Sequence, residues 1–372
     1  LQPAPQDRWR LAPLGGDLYS GAGGIALYLA YLARVSGIQR YEHVSRAALC
    51  TAVRAANPPE DSVDDPGAFT GLASLMYLYV HVGSLWCDDK LLDDAEALRD
   101  RLVKATHDSP HVDIIAGCAG VIAVLRALQT VRPSRQTIDA VSTCAKLAVA
   151  RSQVMPHGRA WSVPQIPASA PLTGFSHGAA GIGWALQLAA ALTNDHHFMD
   201  IANAAIAYER STFSPSANNW PDHRLFDAGP VPAGRKPSYT VAWCHGAPGI
   251  GLARLRALSW MDDDAVRSEI DAALATTENG FGGSHCLCHG DLGNLELLRE
   301  ASARGRYDPR ELRRYEGAIL TAIERDGRRC GVPASVETPG LMAGLAGIGY
   351  GLLRCAAPDR VPSVLMLDPP NG

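Results

Sequence analysis

The stretch WCHGAPGIG, Trp243 to Gly251, indicates a repeated unit, because CLCHGDLGN, Cys286 to Asn294, contains the same Cys-His-Gly core 44 residues later. Each segment places a Cys and a His directly before a Gly-x-x-Gly pattern. Thiolates and neutral imidazoles are the usual protein ligands of zinc, and three of them with a fourth position open are typical of a catalytic site. Cys244, Cys288 and His289 would form such a set. Two clusters so far apart cannot make one zinc knuckle, so the fold has to bring them together.

A Gly-x-x-Gly pattern, or a near copy of it, occurs seven times in the chain, each time at the start of an apolar segment with helical character. The first glycines lie 44 to 68 residues apart, and a loose period near 50 residues is typical of a repeat protein built from helix pairs. These first glycines are Gly21, Gly71, Gly117, Gly178, Gly246, Gly290 and Gly344.

Amphipathic segments lie between the apolar ones, with apolar residues at three- and four-residue spacing and charges between them. They span residues 41–56, 91–106, 135–151, 197–210, 264–277 and 311–326. Buried helices that alternate with half-exposed ones predict an all-α fold, an (α/α)7 toroid with an inner and an outer ring. The inner helices would begin near the seven glycines, with their N-termini at one mouth. Cys244 would then lie beside Cys288 and His289, giving a zinc site at that mouth.

The two ends of the chain differ from the repeats. Residues 1–14 are rich in Pro and polar groups and lack an initiator Met, so we expect a linker-like start within a longer polypeptide. Residues 15–372 would form a single toroid of seven repeats. After Cys355 only a Pro-bounded tail remains. The seventh outer position must therefore be filled from upstream, by something outside the ring, or not at all.

Composition and charge exclude some classes of function. A chain of 372 residues with 47% hydrophobic composition can build a sizeable core. The chain has 34 Lys and Arg and 38 Asp and Glu, and its basic residues form no run long enough to follow a phosphate backbone. Nucleic acid is therefore not an expected partner. The longest apolar run, residues 178–192, is too short to span a bilayer and is expected to be a buried helix. Nine cysteines without a signal peptide predict reduced thiols in a cytoplasm.

The cysteines leave alternatives to the zinc set open. Cys286 could replace Cys288 as a ligand, although Cys288 directly precedes His289. Cys244 and Cys288 could also be a buried thiol pair, with His289 as a helix cap. Six further cysteines lie in apolar contexts and are expected to be small core residues: Cys50, Cys87, Cys118, Cys144, Cys330 and Cys355.

Seven Gly-x-x-Gly repeats together with WCHG and CHG resemble the lanthionine synthetase C-like cyclases, and the resemblance covers nearly the whole chain. WCHGAPGI and CHGDLGN are most similar to the carboxy-terminal cyclase domain of class II lanthipeptide synthetases, in which a dehydratase domain comes first. The resemblance implies an (α/α)7 barrel with one zinc ion, held by Cys244, Cys288 and His289. It also implies lanthionine synthetase activity on a dehydrated precursor peptide: a Cys thiol adds to dehydroalanine or dehydrobutyrine and closes a (methyl)lanthionine ring.

Two further positions carry over from this resemblance, His177 in the fourth repeat and Asp113 just ahead of the third. His177 would give the enolate its proton on carbon, with Asp113 orienting it or accepting the thiol proton. His245, next to a ligand, is a second candidate acid. As alternatives, the histidine can be structural and Asp113 can be an N-cap. Some family members carry an Arg four residues before the first zinc Cys, where this chain has Thr240, and Arg235 would be only a distant substitute.

The chemistry supports the zinc hypothesis independently of the resemblance. A free Cys is only a few per cent thiolate at neutral pH, whereas coordination to zinc deprotonates it. Two protein thiolates already neutralise Zn²⁺, so a third thiolate from the substrate makes the centre anionic. Such a centre is a poor Lewis acid but a good source of nucleophilic sulfur.

Other functions are compatible with parts of the pattern. A glutathione-adding relative would use the same metal chemistry between molecules, and a catalytically silent toroid would bind a peptide or scaffold a partner. Protein prenyl transfer also pairs an α/α barrel with zinc, but nothing in the chain indicates a diphosphate site. Two irregular segments, 155–173 and 214–239, could line a peptide channel or be ordinary connections between repeats.

Overall fold

The computed structural model describes residues 2–4, 8–10, 13–56, 64–164, 166–225, 237–333 and 336–371. Over these residues the chain forms two concentric rings of helices, which confirms the predicted all-α (α/α)7 toroid. In chain order the helices are α1 (Ala22–Ser36), α2 (Gln39–Ala55), α3 (Leu72–Trp86), α4 (Asp89–Ala97), α5 (Arg99–Asp108), α6 (Cys118–Val131), α7 (Arg135–Ala150), α8 (Ala179–Thr193), α9 (His196–Ser211), α10 (Ala247–Ala257), α11 (Asp264–Thr277), α12 (Asp291–Ala303), α13 (Pro309–Asp326) and α14 (Leu345–Ala356).

The inner ring consists of α1, α3, α6, α8, α10, α12 and α14, and each of these begins directly after one of the seven predicted glycines. Inner helices are buried on most sides. In α8, which contains the long apolar run, every residue from Ala179 to Ala190 is buried. On the outer ring, α13 buries only Ile319. This contrast is what the alternation of apolar and amphipathic segments predicts.

The glycine before α10 shows why the repeat requires this residue. Gly246 has a φ of +93°, and a Cβ at this position would collide with the carbonyl oxygen of Thr240. Nearby, the Asn219 side chain accepts a hydrogen bond from the first amide of α10, that of Ala247, at 3.0 Å. The same side chain donates to the Thr240 carbonyl at 3.1 Å. The segment that leads into α10 is therefore fixed on both sides.

A ring of main-chain hydrogen bonds closes the mouth at the N-termini of the inner helices. In each repeat, the residue two positions before the N-cap glycine bonds its counterpart in the next repeat, with N···O distances of 2.9–3.2 Å. The donor between the third and fourth repeats is Ile114, one residue earlier. The counterparts are Tyr19, Phe69, Ile115, Ser176, Cys244, Cys288 and Met342, and Met342 donates back to Tyr19. The first and last repeats are thus neighbours, as the toroid prediction requires.

The outer ring consists of α2, α4 with α5, α7, α9, α11 and α13, and their ends lie within two residues of the predicted amphipathic segments. The second segment is divided into two helices that meet at Leu98. A seventh outer helix is not formed by the chain after α14. Instead, an apolar groove of about 640 Å³, lined by residues of α1, α13 and α14, marks the position where such a helix would pack.

The tail after α14 fills the end of the toroid opposite the N-termini. Its short 3-10 helix, Val364–Met366, is buried. The hydroxyl of Tyr77, on α3, donates to the carbonyl of Asp368 at 2.8 Å, and the Tyr350 hydroxyl, on α14, donates to Pro362 at 2.8 Å. The Pro-bounded tail is therefore a plug between the inner helices.

The cysteine predictions hold in part. Cys118, Cys144 and Cys330 are buried, as expected. The prediction is wrong for Cys50 and Cys87, which are exposed, and Cys355 is only partly buried. Cys50 lies on an outer helix, and Cys87 follows α3 in a left-handed conformation with a φ of +52°. Apolar neighbours in the sequence thus do not decide which way these thiols point.

Strands are short in the described part of the chain. β1 (Gln2–Ala4) pairs antiparallel with β2 (Arg8–Arg10), within the segment predicted as a linker. β3 (Gln153–Met155) and β4 (Gly158–Ala160) form a hairpin after α7. None of the described helices combines the length and the apolar character that crossing a membrane requires.

Candidate active site

The mouth at which the inner helices begin collects side chains from two positions of each repeat. His177, His245 and His289 stand directly before the N-cap glycines of repeats four to six. Cys244 and Cys288 stand one residue earlier, within the ring of main-chain hydrogen bonds. Because the repeats share this register, residues that are distant in sequence become neighbours around the mouth. The toroid therefore brings the two Cys-His-Gly clusters together.

Cys244 and Cys288 are adjacent in this ring. The amide of Cys244 donates to the carbonyl of Cys288 at 3.2 Å, and the two thiols hydrogen-bond to each other. Both residues are nearly buried, with 8% and 6% exposure. The hydrogen bond with Cys244, together with burial, raises the pKa of Cys288 well above its ordinary value. This thiol is therefore protonated at neutral pH unless a strong Lewis acid converts it to thiolate.

His289 lies on the solvent side of this pair. Its ring hydrogen-bonds to the sulfurs of Cys286 and Cys288, and its Nε2 is 2.9 Å from the carbonyl oxygen of Gly331, to which Nε2–H donates. A Cβ at position 331 would collide with the Cys286 sulfur and the imidazole, so glycine leaves the necessary room. Nδ1 is then the nitrogen left for a metal. A backbone carbonyl on the other ring nitrogen is typical of metal-binding histidines.

The donor chemistry of Cys244, Cys288 and His289 fits zinc: two thiols and one imidazole, in contact from one to the next. The three side chains do not have the relative positions of ligands around a metal ion. Within the described ranges, no three Cys, His, Asp or Glu side chains are already arranged to hold a metal ion, these three included. The alternative ligand Cys286 is fully buried, contacts His289 from the interior and lies 3.3 Å from the Ser284 hydroxyl.

His177 and Asp113 form a pair at the same mouth. Nδ1 of His177 lies 2.6 Å from Oδ2 of Asp113, whose other oxygen accepts from the amide of Ala116 at 2.8 Å. With Nδ1–H donated to the buried carboxylate, Nε2 is the nitrogen that can exchange a proton with a substrate. The imidazole keeps 23% of its side chain exposed, so a substrate can reach it. The alternative of Asp113 as an N-cap is wrong, because α6 has its N-cap at Gly117.

His245 lies next to His177, with ring centroids 5.9 Å apart and planes inclined by 28°. Burial, together with the charge of Arg224, lowers the pKa of His245 to about 3, so the ring is neutral. It hydrogen-bonds to the backbone of Thr173, and its Nε2 has no hydrogen-bond partner among the described residues. A buried nitrogen of this kind is available to a ligand.

Tyr19 is a residue of the mouth that the sequence analysis missed. Its hydroxyl donates to the sulfur of Cys288 at 3.2 Å. Burial, together with the neighbouring Cys288 sulfur, raises the pKa of Tyr19, so the phenol is protonated. Tyr19 occupies the same repeat position as Cys244 and Cys288, two residues before the N-cap glycine. The repeat register alone was a signal that could have identified it.

Both irregular segments reach this mouth. Ala168 pairs with Arg224 in an antiparallel bridge, and the amide of Leu225 donates to the carbonyl of Pro167 at 2.8 Å. The two segments therefore support each other. The sequence could not predict this contact, because neither segment has a periodic pattern of residues.

Thr240 has a structural partner in the second of these segments. Its hydroxyl donates to Oδ2 of Asp222 at 2.9 Å, and Asp222 in turn binds the guanidinium of Arg224. Neither Asp222 nor Arg224 was predicted. Arg235, named as a distant substitute for an Arg at position 240, lies outside the described residues.

Comparison with known proteins assigns the chain to a family. The sequence model of the family described as lanthionine synthetase C-like protein matches residues 12–366, which is nearly the whole chain. The chain therefore belongs to the lanthionine synthetase C-like family, as its repeats indicate.

Two similar proteins illustrate the relationship. The Lacticin 481/lactococcin biosynthesis protein LcnDR2 of Lactococcus lactis subsp. lactis is 27% identical over an alignment of 277 residues, and the match covers 69% of this chain and 26% of that protein. The match thus spans about a quarter of the relative's length. Among solved structures, nisin cyclase has a TM-score of 0.71 at 16% identity, covering 96% of this chain and 93% of that one. At this identity the similarity establishes the toroid fold.

Proposed function

We propose that the chain is a lanthipeptide cyclase, which adds peptide Cys thiolates to dehydroalanine or dehydrobutyrine and forms (methyl)lanthionine thioether rings. The observation that carries this proposal is the pairing at one mouth of a Cys-Cys-His donor set with an Asp–His pair. The donor set is suited to binding a sulfur atom through a metal, and the Asp–His pair is suited to transferring a proton. Conjugate addition of a thiol requires both. Family membership and the lacticin 481/lactococcin biosynthesis for which LcnDR2 is named support it.

One Zn²⁺ per chain would be held by Cys244, Cys288 and His289. When bound, zinc would lower the pKa of an incoming peptide thiol so that it reacts as a thiolate. The Tyr19 hydroxyl, which donates to Cys288, would take up part of the negative charge on that sulfur. Because the two cysteines are nearly buried, the peptide thiol can approach only from the open mouth.

The proton for the enolate would come from Nε2 of His177, since Asp113 holds the opposite nitrogen. General acid catalysis by a positioned side chain is worth ~10²–10⁴-fold in rate. The buried carboxylate of Asp113 would stabilise the imidazolium form and fix the ring orientation, or take up the thiol proton. His245, with its unpartnered Nε2 at the mouth, is the second candidate for the proton step.

The substrate would be a dehydrated precursor peptide, supplied by an upstream dehydratase domain of the same polypeptide. Because the match covers only 26% of LcnDR2, that relative has room for such a domain. A cytoplasmic location would suit the free thiols at the mouth, because thiols stay reduced there.

The proposal is tested by incubating the zinc-loaded chain with a dehydrated precursor peptide and counting free thiols by alkylation and mass spectrometry. We expect one alkylatable thiol to disappear per ring while the peptide mass stays constant, and about one zinc per chain by metal analysis. Parallel reactions without protein give the background rate. A mass gain that requires added glutathione would favour the glutathione-adding alternative. Bound peptide with an unchanged thiol count would favour a silent toroid.

A further inference from the structure

Arg224 is a charged group at the mouth that neither the zinc ligands nor the proton donor explain. It lies in the segment between α9 and α10. Burial disfavours its charged form, but Asp222 and the sulfurs of Cys244 and Cys288 favour it, and the pKa of Arg224 is raised overall. Its main chain pairs with Ala168, and its partner Asp222 accepts from the hydroxyl of Thr240, four residues before Cys244. A fixed cation thus lies beside the segment that leads to the first sulfur.

Asp222 holds this guanidinium in one orientation. Nε of Arg224 donates to Oδ1 at 2.9 Å and Nη2 donates to Oδ2 at 2.6 Å, a two-pronged pairing that fixes the plane of the guanidinium. The amide of Arg224 also donates to Oδ1, at 3.1 Å. The Asp222 side chain is 1% exposed and the Arg224 side chain 24% exposed. The carboxylate is therefore an interior support, and the guanidinium is the partner that solvent or a substrate can reach.

Thr240 completes this support. Its hydroxyl donates to Oδ2 of Asp222 at 2.9 Å, and the amide of Asp222 donates to the carbonyl of Ser238 at 2.8 Å. Thr240 also accepts from Asn219 through its carbonyl, at 3.1 Å. Because Thr240 precedes Cys244 by four residues in the same segment, it couples the position of the cation to that of the first sulfur.

A largely buried ion pair seldom adds net stability, because desolvation cancels most of the attraction. At a reaction centre, however, a preorganised cation stabilises developing negative charge. Conjugate addition creates such charge. As the new S–Cβ bond forms, the π electrons of Cα=Cβ move toward the carbonyl and leave an enolate oxyanion. A proton on Cα then restores the C=O bond. The net change is addition of S–H across the double bond, and no oxidant or reductant is needed.

We propose that Arg224 is a catalytic residue that stabilises the enolate oxyanion of the substrate, and that Asp222 and Thr240 are positioning residues that aim its guanidinium. This assignment rests on the proposed cyclase function and adds a third group to it, beside the zinc ligands and the His177–Asp113 pair. The cation comes from the irregular segment between α9 and α10, so no repeat supplies it.

Arg224→Gln tests the assignment in the zinc-loaded chain. We expect kcat for ring closure to fall by ~10²–10³-fold, the usual loss when one preorganised oxyanion donor is removed. Zinc content, melting temperature and peptide binding should stay at the parent values. Arg224→Lys keeps the charge but loses the two-pronged pairing, so its rate should lie between the two. Arg101→Gln is the matched control, because Arg101, on the outer helix α5, pairs with Asp64 in the same two-pronged way, at 2.7 and 2.6 Å, and should keep the parent rate.

Chemical rescue separates a catalytic from a structural role. Millimolar guanidinium ion should restore several-fold activity to Arg224→Ala and should not change the rate of Arg101→Ala. If Arg224→Gln does not fold, Arg224→Lys and the rescue of Arg224→Ala decide the question.

Three outcomes would overturn the assignment: an Arg224→Gln rate equal to the parent rate, a loss confined to KM with kcat unchanged, or a slow variant with a lowered melting temperature and no rescue. The parent chain is assayed first. Absence of rings from the parent would defeat the cyclase proposal itself, whereas an active parent makes every result on Arg224 a result about this residue.

Discussion

The two ends of the toroid carry polar groups of opposite kinds. At the mouth, the inner helices present their N-termini together with thiols and imidazoles. At the far end, they present their C-terminal halves together with Arg126, Arg256 and Arg354. A helix N-terminus stabilises negative charge and a C-terminus stabilises positive charge. The direction of the inner helices therefore suits thiolate chemistry at one end and cations at the other.

The far-end arginines all have carboxylate partners. Asp368 accepts from Arg126 at 3.0 Å and from Arg256 at 2.8 Å, while Arg354 pairs with Glu296. At the mouth, by contrast, the zinc-site thiols bond each other, and one histidine nitrogen has no partner within the described ranges. The paired charges hold the tail in place at the far end. At the mouth, the donor atoms without charged partners remain available to a ligand.

The largest expected effect comes from removing a proposed zinc ligand. Cys288→Ala should lose stoichiometric zinc and slow ring closure by more than ~10²-fold, because even a group that only supports a metal ligand is worth up to that much. Metal analysis and thiol counting measure the two effects. Cys355→Ala, at the far end, where the sulfur accepts from Arg299 at 3.1 Å, should change neither. Zinc kept by Cys288→Ala but lost by Cys286→Ala would assign the ligand to Cys286.

A smaller effect is expected from the proton step. His177→Asn should keep zinc and peptide binding but slow ring closure by ~10²-fold, since the amide can bond Asp113 but cannot act as an acid. Rates and ring stereochemistry have to be measured together, because thiols add slowly to dehydroamino acids unaided. His107→Asn is a matched control, because it makes the same substitution in an exposed His–Asp pair, in which His107 Nδ1 lies 3.2 Å from Asp108 Oδ1. A parent rate with unchanged stereochemistry would move the acid to His245.

Both predictions concern groups that the sequence analysis named: Cys288 from the repeated Cys-His-Gly clusters and His177 from the family resemblance. The repeat explains why they lie at one mouth. Each inner helix begins after a glycine, so residues at a fixed distance before the glycine occupy equivalent places around one mouth. Cys244 and Cys288 share one such place, and His177 and His289 share the next. Periodicity alone was therefore enough to locate the helices, the mouth and the meeting of the Cys-His-Gly clusters.

The remaining features depend on contacts between residues that do not follow the repeat pattern. Arg224 reaches the mouth through a carboxylate and a hydroxyl in a segment whose turns follow no repeat. The tail is held by Asp368, whose two arginine partners lie more than 100 residues away in sequence. Such pairings are fixed only once the toroid has formed, because the closed ring determines which distant side chains meet. Sequence alone therefore predicted that no seventh outer helix follows α14, but not that the tail turns inward.

Asp368→Ala tests the far end. It removes the carboxylate that joins Arg126 to Arg256 and should lower the free energy of unfolding by ~2 kcal/mol, below the usual cost of breaking a buried pair because these side chains keep 15–22% exposure. Arg256 retains Glu300, which limits the loss. Urea unfolding measures the change, and ring closure by the folded variant should proceed at the parent rate. A slower rate at unchanged stability would show that the two ends are coupled.

The smallest effect concerns a buried histidine at the far end. His81 packs against Tyr77, with ring centroids 4.0 Å apart, and its Nδ1 lies 2.7 Å from the Tyr31 hydroxyl. Burial lowers the pKa of His81 from 6.5 to about 3. Below pH 6.5 the unfolded chain therefore binds a proton that the folded chain excludes. The contribution of His81 to the free energy of unfolding is therefore fully present above pH 6.5 and is lost progressively as the pH falls toward 3.

At a pH one unit below the unfolded pKa, one such histidine costs about 1.4 kcal/mol of unfolding free energy. His81→Gln keeps a hydrogen-bonding group for Tyr31 and should remove that loss, so that urea unfolding depends less on pH between neutral and mildly acidic conditions. His107→Gln, on the exposed surface, should leave the pH dependence unchanged. If His81→Gln and the parent lose stability equally, His81 is not the acid-sensitive group, and His245, whose pKa burial also lowers, is the next residue to replace.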